Sequence, residues 1–489
     1  MNEYENILGI QIPKDTKISS VTNSSKKVIK DSIFFGLQGT KIHGSNFAEE
    51  AINLGASIAV HNDPNVIIKI EKILYIKNLE EKIIKFLDAF YKIDINSNNF
   101  FTFTGTNGKT STAHLCHQLL VNMGYESIYI GTLGCQHNNN KFQTSFSSKT
   151  TPDIFELFEI ISSLDWGLDS LNICLEISSH ALDQKRLGDI FWLNSASILN
   201  IADEHLDYHK NISSYRDAKF EIFKINSSIK LIDEGSLKYS EKYNFIKDND
   251  HELTCISNKN DFSDIFYKIT KISISKSEFE ILINNGPQGY EDDNNKKYKF
   301  SCKLFPEFNV SNLVFAICSI GFDKFYDDSI NDLSFLKLPK GRLDIIEGIP
   351  VNIIIDFAHN EHSFNILLNS IKRYFDNLIV VFGCGGDRDK IKRSKMLKVA
   401  IENAFKIIFT SDNSRSENFE DIYEDAKYDN DLRDVIVIED RKEAIIQGSK
   451  LINDNDCMLI LGKGHEETQE INGIISHFSD YEVVYEIYS

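Results

Sequence analysis

From Val351 onward, short apolar runs alternate with stretches whose apolar residues recur at helical spacing. "VNIIIDFAHN" leads into "HSFNILLNSIKRYF", and "LIVVFGCGGDRDK" leads into "RSKMLKVAIENAF". "KIIFTSDNSRSE", "DVIVIEDRKEAI" and "CMLILGKGHEET" repeat the rhythm. Apolar runs separated by helices predict a parallel sheet covered on both faces. In such sheets ligands lie beyond the carboxyl ends of the strands. Each run here ends in polar residues, so one cleft lined by Asp356, Arg388, Asn413, Arg415 and Glu466 is expected.

An earlier apolar run, Phe100 to Phe103, precedes "TGTNGKTS" at 104–111 and a helical pattern through Met123. Leu115, Leu119, Leu120 and Met123 share one face of that helix, and Gly124 is placed to cap it. The polar "DINSNNF" before it and a polar run around Asp332 divide the chain into 1–96, 97–335 and 336–489. A length of 489 residues accommodates about three units of ~150 residues. Between Lys224 and Lys303 the chain is rich in Asn, Lys, Ser and Asp, and short strands with surface loops are expected there.

Composition removes several functions. A formal net charge of -19 argues against a general binder of nucleic acid or anionic membrane. Eight cysteines without a CxxC pair read as reduced thiols, not as a disulfide framework or a zinc site. "MNEYENILGI" lacks a basic start and a long apolar core, so neither a signal peptide nor a membrane span is expected.

The loop at 104–111 carries the sharpest chemistry. Its place at a helix N-terminus offers free amides and a favourable dipole to an anion. Lys109 is placed to reach terminal phosphates, and the Thr110 hydroxyl suits magnesium. The general phosphate loop would have its first glycine at 103, where Phe103 stands. Two other motifs compete with this reading. His205 and His209 stand at i and i+4, as paired zinc ligands do, but Leu206 occupies the position of the glutamate a zincin needs. "EISSH" offers a serine nucleophile without the GxSxG elbow.

The GTNGKT form resembles the ATP loop of the Mur ligases and of the folylpolyglutamate synthases. "TTPD" at 150–153, "EISSHALDQKR" at 176–186 and "NIADEHLDYHK" at 200–210 resemble the MurE branch of the Mur ligases. So do "YRDAKFEIF", "FNVSN", "GRLD", "DFAHN", "FGCGGDRDKIKR", "DNSRSE" and "GKGHEETQEI", in family order from the segment around Ser25 to Asp480. The resemblance implies an α/β chain of three domains, with a central phosphate-loop ATPase-like domain and a Rossmann-like C-terminal domain. It implies an ATP-dependent amide ligase of peptidoglycan precursor synthesis, a monomer in the bacterial cytoplasm. Its substrates would be UDP-N-acetylmuramoyl-L-alanyl-D-glutamate (the UDP-MurNAc dipeptide), ATP and meso-diaminopimelate, with Mg2+ as cofactor.

Residue roles follow by the same resemblance. Gly105, Thr106, Asn107, Gly108, Lys109, Thr110 and Ser111 would bind ATP, joined by Asn312 at adenine and by Arg342 on domain closure. Thr110 and Glu176 would hold one magnesium, His205 would support a second metal position, and Lys219 would become a carbamate that ligates metal. Lys109, Glu176, His205 and Lys219 form the expected catalytic set. Ser25, Thr150, Thr151, Ser178, Gln184 and Arg186 would bind the UDP-MurNAc dipeptide, although Ser24 and Lys26 replace the residues that usually flank the serine. Arg388, Asp412, Asn413, Arg415, Gly462 and Glu466 would bind diaminopimelate, with Ser414 where the family has proline.

A second far-end carboxylate separates diaminopimelate from L-lysine, and a guanidinium such as Arg415 is the residue to read it. The plainer reading is that Arg415 caps a loop or pairs with Glu417. An L-lysine-adding enzyme is the first alternative. A folylpolyglutamate synthase-like ligase is disfavoured by "TTPD" with "DNSRSE", and a non-catalytic binding homologue by intact Lys109, Glu176, His205 and Lys219.

Overall fold

The computed structural model describes residues 3–13, 16–39, 42–66, 68–142, 150–164, 170–188, 192–202, 206–243, 253–287 and 293–489. His205 lies outside the described residues. Among the described residues, the chain builds three main sheets of four, twelve and six strands, with a hairpin near its end.

The four-stranded sheet is parallel, in the order Ser20–Thr22, Ser32–Gly36, Ile58–His61, Ile73–Tyr75. Its inner strands are buried at every position, as continuous apolar runs covered on both faces should be. One apolar cluster joins this unit to the next, and within it Phe35 and Phe155 lie 5.2 Å apart, ring centre to ring centre. Polar contacts reinforce the junction: Asn23 Nδ2 donates to Asp153 Oδ2 at 3.1 Å, and Lys27 Nζ to Glu156 Oε1 at 3.1 Å.

In the twelve-stranded sheet, Asn99–Thr104 lies between Asn172–Glu176 and Trp192–Ile198, parallel to both. Their carboxyl ends face the helix Lys109–Asn122, which buries Leu115, Leu119 and Leu120 and is followed by Gly124 at φ +85°. The polar 224–303 region departs from the expected short strands and loops. It contributes Asn226–Asp233 and Ile265–Ile272, each of eight residues, then the antiparallel Ser277–Ile283 and Lys297–Cys302. Ser277–Ile283 alternates buried and half-buried positions, the mark of a sheet with one packed face.

The six-stranded sheet runs Asp344–Ile345, Asn352–Asp356, Cys457–Leu461, Leu378–Phe382, Lys406–Phe409, Val435–Val437. It is parallel apart from its first pair, as the alternating runs predict. Strand Cys457–Leu461, late in sequence, inserts between the two earliest parallel strands. That insertion decides which strand ends share a cleft. Gln118 fastens the linker to the helix after the loop: its Nε2 donates to Lys337 O at 2.8 Å, and its Oε1 accepts from Lys337 N at 3.1 Å. All eight cysteines are free and buried. Among the described residues, no helix is long and apolar enough to cross a membrane.

Candidate active site

The loop between Asn99–Thr104 and Lys109–Asn122 wraps one side of a cavity of about 360 Å³. Gly108 sits at φ +89°, and a Cβ there would lie 2.5 Å from Asn312 Oδ1, so glycine is required on two counts. Asn200 braces the loop from the neighbouring strand: its Oδ1 accepts from Asn107 N at 2.9 Å, and its Nδ2 donates to Asn107 O at 2.9 Å. Lys109 Nζ folds onto the loop, donating to the carbonyls of Gly105 at 2.8 Å and Thr106 at 3.0 Å. Ser111 is buried in the first helical turn and lines the same cavity.

Glu176 ends its strand fully buried and gathers the hydroxyls around it. Thr110 Oγ1 donates to Oε2 at 2.9 Å, Thr132 Oγ1 to Oε2 at 3.2 Å, and Thr132 N to Oε1 at 2.9 Å. Tyr129 also donates to Oε1; burial first, then this carboxylate, holds the phenol's pKa well above its usual value. Thr110, Thr132 and Glu176 therefore offer clustered hard oxygens, a donor set that fits magnesium. Lys219 is buried, with Nζ 4.7 Å from the centre of the Tyr215 ring. Tyr215 OH lies 3.0 Å from Thr106 Oγ1, which brings Lys219 close behind the phosphate loop. His209 is buried against Ser179 Oγ at 3.0 Å.

The muramyl-peptide candidates form a chain leading away from Glu176. Thr151 Oγ1 donates to Glu176 O at 2.9 Å and accepts from Ser178 N at 2.9 Å. Thr150 Oγ1 lies 3.3 Å from Thr132 Oγ1, placed to donate to the hydroxyl that itself donates to Glu176. Ser178 Oγ caps the helix Ser179–Asp183. Arg186 donates through Nη1 to Thr151 O at 3.2 Å and through Nε to Gln184 Oε1 at 2.9 Å. Ser25 stands apart, half-buried in a turn after the first strand.

The far wall of the cavity comes from the six-stranded sheet. Arg342 Nη2 reaches Thr110 Oγ1 at 3.4 Å, and its guanidinium lies 4.8 Å from the centre of the Phe357 ring. Phe357 in turn lies 5.3 Å from the His465 ring. Asp356 is held by the amides of Leu343 and Ala358, both at 2.7 Å; burial raises its pKa, and Arg342 opposes that shift.

The single cleft expected for the C-terminal residues is two. Asp356 belongs to the phosphate-loop cavity, whereas Asn413, Arg415 and Glu466 line a second pocket of about 440 Å³. The strand order explains the split. Cys457–Leu461 lies beside Asn352–Asp356, and Gly462 at its end separates Asp356 from Asp412. Gly462 is at φ +109°, and a Cβ there would meet Asp412 Oδ2 at 2.6 Å. Asn413 Nδ2 donates to Glu466 Oε2 at 2.9 Å. Arg388 is exposed and is not among the residues lining this pocket; a Cβ on Gly385 would lie 3.7 Å from its Cγ and 3.0 Å from Arg415 Nη1, so the two arginines flank one glycine.

Glu417 is not the partner of Arg415. It takes the fully buried Arg393 guanidinium at 2.8 and 2.9 Å, while Arg415 Nη1 donates to Gly386 O at 2.7 Å. Residue-by-residue reading missed Thr132, Asn200 and Tyr215. Asn200 opens a quoted motif and was open to discovery; Thr132 belongs to no motif.

Comparisons with known proteins agree with this layout. The model described as Mur ligase middle domain matches residues 103–320, the Mur ligase glutamate ligase domain matches 341–464, and the Mur ligase family catalytic domain matches 17–90. A protein of Wigglesworthia glossinidia brevipalpis, named UDP-N-acetylmuramoyl-L-alanyl-D-glutamate--2,6-diaminopimelate ligase, is 32% identical over 501 residues, covering 96% of this chain and 95% of its own. A protein of the same name from Aquifex aeolicus (strain VF5) is 32% identical over 475 residues, covering 96% and 94%. A solved structure of that name superposes with a TM-score of 0.63 at 25% identity, covering 99% of this chain and 98% of the other.

Proposed function

The chain belongs to the Mur ligase family, and from that premise we propose that it joins meso-diaminopimelate to UDP-N-acetylmuramoyl-L-alanyl-D-glutamate at the expense of ATP. The observation that carries this reading is the meeting at Glu176 of two residue sets: Thr110 of the phosphate loop at 2.9 Å, and Thr151 with its chain to Arg186. A phosphoryl donor and a carboxylate acceptor bound by those sets would face each other across one buried glutamate.

In this reading the D-glutamate side-chain carboxylate attacks the γ-phosphorus, ADP leaves, and an acyl phosphate forms. The amine of diaminopimelate then attacks the acyl carbon. The tetrahedral intermediate expels phosphate, and the amine gives up a proton as the amide forms. Two anions must approach in the first step, so Lys109 and Arg342 serve as charge stabilisers on either side of the phosphates. Thr110 and Glu176 would hold Mg2+, which supplies positive charge at the phosphate oxygens. Gly105 to Ser111, with Asn312, would cradle ATP. A carbamate on Lys219 would place an anion behind the loop, and His205 would serve the second metal position.

Ser25, Thr150, Thr151, Ser178, Gln184 and Arg186 would bind the UDP-MurNAc dipeptide. Arg388, Asp412, Asn413, Arg415, Gly462 and Glu466 would take diaminopimelate. The division into 1–96, 97–335 and 336–489 assigns uridine, ATP and amino acid to successive domains of a monomer in the bacterial cytoplasm. Their closure excludes water from the acyl phosphate. The test is phosphate release with ATP, Mg2+, the UDP-MurNAc dipeptide and a panel of amino acids. Release that needs both the dipeptide and meso-diaminopimelate is expected; a preference for lysine, or release independent of the dipeptide, overturns the reading.

A further inference from the structure

We infer that Tyr129 is a positioning residue that makes Glu176 a one-oxygen ligand and thereby selects Mg2+ over Ca2+; the inference rests on the magnesium reading above. The two oxygens of Glu176 have different company. Oε1 accepts from Thr132 N at 2.9 Å and from the Tyr129 hydroxyl. Oε2 accepts from two other hydroxyls, Thr110 Oγ1 at 2.9 Å and Thr132 Oγ1 at 3.2 Å. Thr110 and Thr132 line the phosphate-loop cavity, whereas Tyr129 is buried behind it. The carboxylate therefore turns one oxygen toward the ligand space and the other toward the protein.

A carboxylate oxygen has two acceptor sites, so the two donors on Oε1 fill it. Both donors are held. The Thr132 amide is fixed by the backbone. The Tyr129 hydroxyl has one proton, and its acceptor side is taken by Leu133 N at 3.3 Å, which turns that proton toward Oε1. The ring is clamped as well. His114 packs edge-on against it at 5.5 Å between ring centres, and is itself bonded to Gln136 Oε1 at 3.1 Å and Gln118 Nε2 at 2.8 Å. A Cβ on Gly131 would collide with Oε1 and lie 2.6 Å from the Tyr129 oxygen, so only glycine admits this contact. The hydroxyls on Oε2 differ: each can turn its proton away and present a lone pair to a cation. A cation on this glutamate thus meets one oxygen. Mg2+ demands a small, regular octahedron and is served by one oxygen, whereas Ca2+ takes more ligands and accepts both oxygens of one carboxylate. Filling Oε1 withholds the second oxygen from Ca2+ and takes nothing from Mg2+.

The test is calorimetric titration of the full chain with a non-hydrolysable ATP analogue, once in saturating Mg2+ and once in saturating Ca2+. Wild type, Tyr129→Phe and Thr132→Val are compared. Tyr129→Phe keeps the ring against His114 and deletes only the donor to Oε1; a thermal melt checks the fold. Wild type should favour the Mg2+ complex. In Tyr129→Phe the ratio of the two dissociation constants should move toward Ca2+ by about tenfold or more, the usual scale for losing a residue that orients a metal ligand. Thr132→Val deletes a hydroxyl from Oε2 and leaves Oε1 filled, so both complexes should weaken with their ratio kept. An unchanged ratio in Tyr129→Phe, even with both affinities lowered, overturns the inference, as does an equal shift in Thr132→Val. Wild-type binding of the analogue that is indifferent to both cations overturns the underlying magnesium reading instead.

Discussion

Around Glu176 the polar groups are largely buried and already bonded to one another, whereas Arg415, Glu466 and Glu470 are partly exposed charges carried by separate segments. The first cavity is walled on one side by a contiguous loop and a helix N-terminus, and on the other by Arg342 and the Asp356–Asn360 segment of the six-stranded sheet. The second is assembled from the turn after Lys406–Phe409 and from the segment linking Cys457–Leu461 to the hairpin. The contrast separates two tasks. Groups that stabilise a transition state gain from being fixed and dry beforehand. Groups that choose among ligands gain from weak internal pairings that only the right ligand replaces.

The largest expected effect falls on the buried side. Lys109→Ala removes a preorganised cation and should lower kcat on the order of 100-fold or more. Diaminopimelate binding, measured by calorimetry, should survive. Near-normal turnover in a folded Lys109→Ala protein would erase the distinction between the two cavities.

Lys219 sharpens the same side. Intact-mass analysis of the active, magnesium-loaded enzyme under bicarbonate should show a carboxylated Lys219; an unmodified amine in active enzyme removes the carbamate. Lys219→Ala should lose most activity, part of it regained with a short carboxylic acid and bicarbonate.

Arg415→Ala addresses the open side. Losing the partner of a substrate carboxylate should cost a few kcal/mol, about 10- to 100-fold, seen mainly as a higher KM for diaminopimelate. ATP affinity should be unchanged. An equal loss of ATP affinity would mean that the two cavities are not separable.

The smallest effect concerns the helix under the phosphate loop. Burial draws His114 down to about 4 and His117 to about 3, both from 6.5. His117 is held between Ser127 Oγ and Asn138 O, each at 2.9 Å. Because the folded chain resists protonation there, this contribution to stability is complete above pH 6.5. It is lost as the pH falls through 4 and then 3. Urea midpoints should therefore drop on acidification below pH 6.5, and His117→Asn should flatten that slope. An unchanged slope would assign the acid sensitivity elsewhere.

Legibility followed locality. The phosphate loop is written in consecutive residues, so its strand, turn and helix were all readable. The C-terminal alternation likewise declared a parallel sheet. Strand order is not local, so Asp356 and Arg415 looked like neighbours until Cys457–Leu461 was seen between the first parallel strand and Leu378–Phe382. The alternation in Ser277–Ile283 was present in the residues but lay among Asn- and Lys-rich turns that masked it. Glu417 looked like the partner of Arg415 because it is two positions away. The buried Arg393, from another helix, takes it instead.

Arg342, Phe357 and His465 stand in a row, and the two rings face different cavities. The wall between the two cavities thus includes a pair of aromatic rings, 5.3 Å from centre to centre. Packed rings do not compress, so a push on one face is delivered at the other. A ligand in the second pocket that displaces His465 would move the support beneath the guanidinium at Thr110. The two cavities are thereby coupled through a wall rather than through a long relay.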